Sequence, residues 1–224
     1  MPDRIQIKEE AKQVLRGARV NPYLVSLIVV GVLGLLGGLD SYVGASQTVD
    51  QMAGYDPDLA AMLPSFPEFP VLLVAFVAAV NWLAQAILSA GWSIYHLGVR
   101  RGKEMPFSCL LDGFSFLGKL ILLSIVMSIF VFLWSLLFYI PGLIAQYRYR
   151  FAVYNLCENP DIGIMEAISM SKAQTAGFKW TLFVLDLSFI GWILLSGLTL
   201  GILDIWLSPY REQANVGYFQ EIKR

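Results

Sequence analysis

Two apolar stretches in the first half of the chain decide the fold: residues 23–39 read YLVSLIVVGVLGLLGGL, and residues 71–97 read VLLVAFVAAVNWLAQAILSAGWSIYHL. No Lys or Arg occurs from Val20 to Val99, and the loop between the two stretches carries only acidic charges. Those acids are Asp40, Asp50, Asp56, Asp58 and Glu68. Because Lys and Arg are enriched on the cytosolic side of a membrane, this pattern predicts a transmembrane hairpin whose loop, residues 41–70, lies outside.

The composition also indicates a membrane protein. Hydrophobic residues make up 57% of the 224 residues and charged residues only 15%, whereas a soluble domain carries about a quarter charged residues. The mean hydropathy is +0.62, and the formal net charge of -1 gives no reason to expect nucleic-acid binding. Cys109 and Cys157 both fall on the predicted cytosolic side, where thiols stay reduced, so we expect no disulfide.

We interpret residues 1–20 as an amphipathic helix that lies on the inner leaflet and precedes a retained first span. Its apolar face is formed by Ile7, Ala11, Val14, Leu15 and Ala18. Val43-Gly44-Ala45 resembles the cleavage site of a signal peptide. However, the region before the apolar run is about twenty residues long and has a helical pattern, which a signal peptide lacks.

Downstream of Val99 the number of spans is open. Residues 120–140 are long enough to cross a hydrocarbon core of about 30 Å, and they end at Pro141-Gly142. Residues 180–207 would extend roughly 42 Å as one helix, so they form either one long tilted span or two spans that meet near Ser196-Gly197.

An internal repeat favours six spans. A shift of about 59 residues places Tyr95 on Tyr154, and the segments 10–23, 107–120 and 166–181 each read as a short amphipathic helix followed by an apolar span. Three hairpins, each preceded by a cytosolic amphipathic helix, give a six-helix transmembrane bundle in one domain, residues 1–224. All Lys and Arg except Arg148, Arg150 and Arg211 then lie on the cytosolic side, together with both termini. A four-span alternative would place residues 143–181 outside.

The second half of the chain resembles the bacterial integral membrane family catalogued as domain of unknown function 975. The resemblance covers roughly Ser89 to Phe219, and its motifs follow one another in fixed order. They are Leu136-Leu137-Phe138-Tyr139-Ile140-Pro141-Gly142, the tyrosines of 147–154, Glu158-Asn159-Pro160, Glu166-Ala167-Ile168 with Ser171-Lys172, Gly177-Phe178-Lys179, 187–192 and Pro209-Tyr210. The resemblance implies a multi-pass protein of the bacterial cytoplasmic membrane, and it implies no catalytic residue.

Polar residues inside the predicted spans are the candidate functional residues, because charges in hydrocarbon are costly and find partners. The predicted intramembrane cluster contains Gln146, Arg148, Arg150, Asp186, Asp204 and Arg211. Glu212, Asn81 and Gln85 are additional candidates. Counting 1.5 Å per residue from the predicted turns matches Arg148 with Asp204 and Arg150 with Asp186 in depth. The cluster is either a pocket for an ion, solute or lipid headgroup or a set of ion pairs that fixes the helices.

The sequence indicates no enzyme, cofactor or metal site. It has no Gly-x-Ser-x-Gly, phosphate-binding glycine loop or His-Glu-x-x-His motif, and one histidine with two separated cysteines is a poor ligand set. We interpret His96 as a residue of the membrane interface. The spacings Gly34-xxx-Gly38 and Gly197-xxx-Gly201 permit close helix approach, and with it a homo-oligomer.

Two functions follow as hypotheses. The first is a non-catalytic membrane protein that binds or stabilises another envelope component, with the cytosolic amphipathic helices and the acidic outer loop as contact surfaces. The expected partner is membrane lipid or another membrane protein. The alternative is a small transporter or ligand-binding bundle built around the arginine and aspartate residues. Only the alternative requires a cavity that reaches those residues.

Overall fold

The computed structural model describes residues 3–64, 66–137 and 139–223, and every regular element in these ranges is helical. Met1, Pro2 and Ser65, which belong to the predicted segments 1–20 and 41–70, lie outside the described residues. The α-helices are α1 (Arg4–Gly17), α2 (Pro22–Tyr55), α3 (Pro57–Ala61), α4 (Val71–Arg100), α5 (Leu117–Leu137), α6 (Tyr139–Tyr149), α7 (Ala152–Glu158), α8 (Ile164–Gln174), α9 (Lys179–Leu187), α10 (Ile190–Leu198) and α11 (Asp204–Lys223). A 3₁₀ segment, Phe107–Phe116, precedes α5.

Four helical segments are long and apolar enough to cross a membrane. They are Pro22–Tyr55, Val71–Arg100, Phe107–Leu136 and Lys179–Leu198. Large apolar side chains on these segments, such as Leu35, Leu72 and Leu122, are exposed, as expected where lipid rather than water surrounds a helix. The predicted all-helical membrane protein is confirmed at this level. The other two predicted crossings fall on α6–α7, which is interrupted, and on α11, which carries charges.

The predicted loop 41–70 is helical in its first half. Helix α2 continues to Tyr55 and is 34 residues long, which corresponds to about 51 Å. Residues 41–55 contain no proline, and the first one, Pro57, begins α3 directly after the helix ends. The helix therefore continues until the sequence provides a residue that interrupts it.

The chain divides into two compact units, which we treat separately. The first is Val29–Gln85, and the second combines Met1–Ile28 with Ala86–Arg224. Inside the first unit, Asn81 Nδ2 donates to Asp40 Oδ2 at 3.3 Å, and the ring of Tyr42 packs edge-on against the ring of Phe69. These contacts join the α2 portion of this unit to the segments that follow it.

In the second unit the apolar face of α1 is covered by protein. Ile7, Ala11 and Leu15 are buried, which confirms the predicted face. Ile7 and Ala11 share a core with Ala214 and Val216 of α11, so the expectation that α1 lies on the inner leaflet is wrong for this face. Helical periodicity identified the apolar face correctly, but it carries no information about what covers it.

The other two short helices are packed in the same manner. Helix α8 buries Ala167 and Ile168 against α6 and α7, and the 3₁₀ segment places the backbone of Leu110 directly against Gly91 of α4. Each of the three short segments is therefore packed on another helix of the second unit: α1 on α11, the 3₁₀ segment on α4, and α8 on α6 and α7.

Replacing Gly91 with alanine tests the contact between α4 and the 3₁₀ segment. A methyl group at this position would overlap the carbonyl of Leu110, so we expect a loss of about 1–3 kcal/mol from overpacking. The measurement is the thermal unfolding midpoint in detergent, which should fall by several degrees.

Gly118→Ala is the matched control, because this glycine lies inside α5 and an added Cβ meets nothing within 4 Å. Alanine favours a helix over glycine, so the control midpoint should stay constant or rise. An equal fall in both variants would contradict the close approach at Gly91.

Candidate functional site

Polar side chains from four parts of the second unit form what we call the polar cluster. They come from α4, from α6–α7, from α9 and from α11. The members are Ser93, His96, Tyr147, Arg150, Tyr154, Asp186, Glu212, Gln213 and Asn215.

The strongest contact in the polar cluster joins Arg150 to Asp186. The guanidinium makes two bonds to the carboxylate, from NH1 to Oδ2 at 2.5 Å and from NH2 to Oδ1 at 2.9 Å. Asn215 Oδ1 accepts a third bond from Arg150 at 3.0 Å, and the Tyr147 hydroxyl donates to Asp186 at 3.0 Å. The side chains are only 21% and 26% exposed, and the contact matches the pairing predicted from depth. Bidentate pairs of this kind are strong and geometrically specific.

Arg150 lies where the helix is interrupted between Tyr149 and Ala152. The interruption frees backbone groups, and the side chains of Ser171 in α8 and of Thr175 directly after it bind them. The Ser171 hydroxyl accepts from the Phe151 amide at 3.1 Å and donates to the Arg148 carbonyl at 3.0 Å, while Thr175 donates to the same carbonyl at 3.3 Å. A broken helix is stable away from water only if its free backbone groups are satisfied in this way.

At a second interruption, between α9 and α10, a side chain of α1 binds a free backbone carbonyl. Lys8 Nζ donates to the Ser188 carbonyl at 3.2 Å and lies 4.0 Å from the centre of the Phe189 ring. Partial burial, together with the nearby positive charges of Arg4 and Lys12, lowers the pKa of Lys8. The ammonium faces the carboxyl end of α9, where a positive charge is favourable.

Glu212 and Gln213 link α11 to α4. The Tyr154 hydroxyl donates to Glu212 at 2.7 Å, and Ser93 donates to the same oxygen at 3.3 Å. Gln213 Nε2 lies 2.9 Å from Nδ1 of His96 and donates to the His96 carbonyl at 3.0 Å. His96 is fully buried, so its interpretation as an interface residue is wrong.

The structure does not bring the remaining predicted residues into the polar cluster. No ion pair joins Arg148 to Asp204 in the described part of the chain, so that predicted pairing is wrong. Asp204 is the first residue of α11, where a carboxylate stabilises the positive end of the helix. Arg211 is half-buried and forms no ion pair within 4 Å among the described residues.

Four of the predicted residues lie at other places in the structure. Arg148 lines a cavity of about 230 Å³ with Trp134 and Ile144. Gln146 is exposed and lines a groove that also contains Ser128. Asn81 and Gln85 bond to each other inside the first unit, at 3.2 Å.

Sequence reasoning missed most of the neutral members of the cluster. Ser93, Gln213 and Asn215 carry no charge, and the depth argument considered mainly charged groups. Their neutral side chains gave no signal in the sequence that distinguishes them from other polar residues.

Residues 136–224 match the model of a family whose description is Protein of unknown function (DUF975). The match covers 89 of the 224 residues, so the similarity to this family lies in the carboxyl-terminal part of the chain. All of the motifs that carried the resemblance lie within the DUF975 region, although Phe138 lies outside the described residues. The match begins at residue 136, so the expected start near Ser89 is not supported. No curated protein and no solved structure matches the chain.

The DUF975 region supplies α7, α8, α9 and α11, and therefore both residues of the Arg150–Asp186 pair. His96 and Ser93 of α4 and Lys8 of α1 come from outside it. The polar cluster is thus completed by residues that precede the matched region.

Arg150→Leu tests the role of the ion pair. The change leaves Asp186 without its charged partner, so we expect a loss of about 3 kcal/mol in unfolding free energy. The loss should appear as a lower unfolding midpoint and a lower yield of folded protein in detergent.

Arg150→Leu combined with Asp186→Leu removes both charges and should recover part of that loss, because Asn215 and Tyr147 still lose a partner. A double variant no more stable than Arg150→Leu would show that the pair does not act as a unit.

Proposed function

We propose that this chain is a non-catalytic, multi-pass protein of the bacterial cytoplasmic membrane that binds or stabilises another envelope component. The observation that carries the proposal is the mutual pairing of Arg150 and Asp186, with Asn215 and Tyr147 filling further positions. Both carboxylate oxygens of Asp186 are engaged by protein groups. The pair therefore connects neighbouring helices, and we look for the functional residues on the protein surface.

The short helices are poor candidates for partner binding through their apolar faces. The face of α1 is packed on α11, and that of α8 is packed on α6 and α7. This leaves the segment 50–63, at the far end of α2 and in α3, as the contact surface that we favour. Its large apolar side chains are exposed, with Tyr55 at 92%, and its charges are all acidic. An exposed surface of this kind fits a partner with basic and apolar groups.

Six crossings with both termini in the cytosol remain our proposed topology. In this topology the segment 50–63 lies outside. The ion pairs of Glu158 with Arg101 and with Lys223 then lie at the cytosolic edge. Basic residues are retained on that side of a membrane. In this topology α6–α7 and α11 cross as broken or polar helices, which is tolerated where neighbouring protein satisfies them.

One observation favours the alternative, a small transporter or ligand-binding bundle. The cavity lined by Arg148 contains a guanidinium that forms no ion pair within the described ranges. The remaining lining includes Trp134, Pro141, Ile144 and Ala145, so the site offers a single charge in an apolar setting. Recognition of a solute usually needs several convergent polar groups, and for this reason we rank this function second.

A photo-crosslinking residue at Tyr55 tests the partner surface. Benzoylphenylalanine in place of Tyr55 should give a discrete crosslinked product in intact cells, and Asp50→Lys should reduce its yield at least threefold by reversing a charge beside it. Gel mobility of the tagged protein is the measurement.

Benzoylphenylalanine at Leu35 provides the control, because this side chain is also largely exposed, at 78%, but lies in the apolar part of α2. Equal product at both positions, or none at Tyr55, would refute the surface that we favour.

Cysteine labelling tests the topology. Native Cys157 is a poor reporter because it is half-buried with Sγ 3.8 Å from the Ala90 carbonyl, so exposed Ala173 and Ile202 are the better positions. With six spans, a membrane-impermeant maleimide should label Ile202→Cys from outside and spare Ala173→Cys. Four spans require the opposite pattern at both positions, which would overturn our topology.

A further inference from the structure

A second cavity, of about 390 Å³, lies in the second unit between the α1–α2 linker and the end of α4. Its charged lining residues are Arg19, Arg100, Lys103 and Glu104. The cavity shares none of these residues with the polar cluster. Its volume is in the range of sites that hold a small molecule, about 300–1,000 Å³.

Arg100 is the most unusual of these residues. Its side chain is only 9% exposed, and NH2 donates to Glu10 at 2.7 Å. NH1 is buried and has no hydrogen-bond partner among the described residues. A guanidinium carries five N–H donors, and leaving one buried nitrogen unpaired is costly. This nitrogen lies beside Gly217 of α11, and an acceptor bound in the cavity that reaches it would compensate the cost.

The other two lining cations differ in whether they form an ion pair. Lys103 is exposed, and its ammonium has no hydrogen bond or ion pair in the described ranges. Arg19 pairs with Glu104, and both side chains are well exposed, so the pair is weak and easily exchanged. Three cations therefore line one cavity, of which Arg100 is paired with Glu10 outside the lining, Arg19 is paired with the lining Glu104, and Lys103 is unpaired in the described ranges.

We propose that this cavity binds a phosphate-bearing anion through Arg100, Lys103 and Arg19. Phosphate oxygens match the guanidinium fork and accept several bonds at once, so a phosphate can bind the unpaired Lys103 and compete with Glu104 for the exposed Arg19. The phosphate belongs either to a soluble compound or to the headgroup of an anionic lipid. This inference goes beyond the proposed function, which does not require a small ligand.

Two variants of opposite effect test the site. Lys103→Gln removes a free cation and should weaken binding about fivefold, whereas Glu104→Gln releases Arg19 and should tighten it by a similar factor. Because the two changes act in opposite directions, a general loss of folding cannot produce both results. Arg16→Gln is the control, since Arg16 is exposed on α1, does not line the cavity and carries the same charge as Lys103.

Two probes distinguish the sources of phosphate. Inorganic pyrophosphate is titrated into the detergent-solubilised full chain by calorimetry, and retained phosphatidylglycerol is compared with phosphatidylcholine by native mass spectrometry. The pattern of variants with pyrophosphate alone identifies a soluble ligand, with phosphatidylglycerol alone a lipid headgroup, and with both a general phosphate site. Binding of neither probe, or an equal effect of Arg16→Gln and Lys103→Gln, overturns the proposal.

Discussion

Backbone groups that are buried away from water need hydrogen-bond partners, and the structure depends on how the interrupted helices obtain them. At the first interruption the hydroxyl of Ser171 binds both a free amide and a free carbonyl. At the second, the ammonium of Lys8 binds the carbonyl of Ser188. Both groups come from short helices outside the four long apolar segments. Helices α1 and α8 therefore stabilise the interrupted helices, and their inner faces are fully buried.

The polar cluster is built on the same geometry. Because the helix is interrupted at Arg150, that residue and Tyr147 both reach Asp186 of α9, and Asn215 of α11 completes the contact. Helix α11 contributes three side chains to the polar cluster, namely Glu212, Gln213 and Asn215. Helix α11 is too polar to count among the four long apolar segments, and its polar side chains are the groups that bond to α4 and to α6–α7.

The sequence was informative where a one-dimensional pattern has a direct physical meaning. The absence of cations from residues 20–99 located α2 and α4, and counting residues from the ends of the segments matched Arg150 with Asp186. The same count failed for Asp204, because residues 199–203 form an irregular turn with positive φ at Leu200 and Gly201. The interpretation of His96 as an interface residue failed for a different reason, because its partner Gln213 is 117 residues away in the sequence. Periodicity identified the buried face of α1 but not its contact with α11, since such pairings depend on tertiary packing.

The packing of α1 on α11 has a consequence for biosynthesis. Almost two hundred residues separate the two helices, so the ribosome completes α1 long before its binding surface on α11 exists. During that interval Ile7 and Ala11 have only lipid or a chaperone to cover them. Helix α1 therefore reaches its final position only after α11 has been synthesised, and packing of α1 on α11 is a late step in folding.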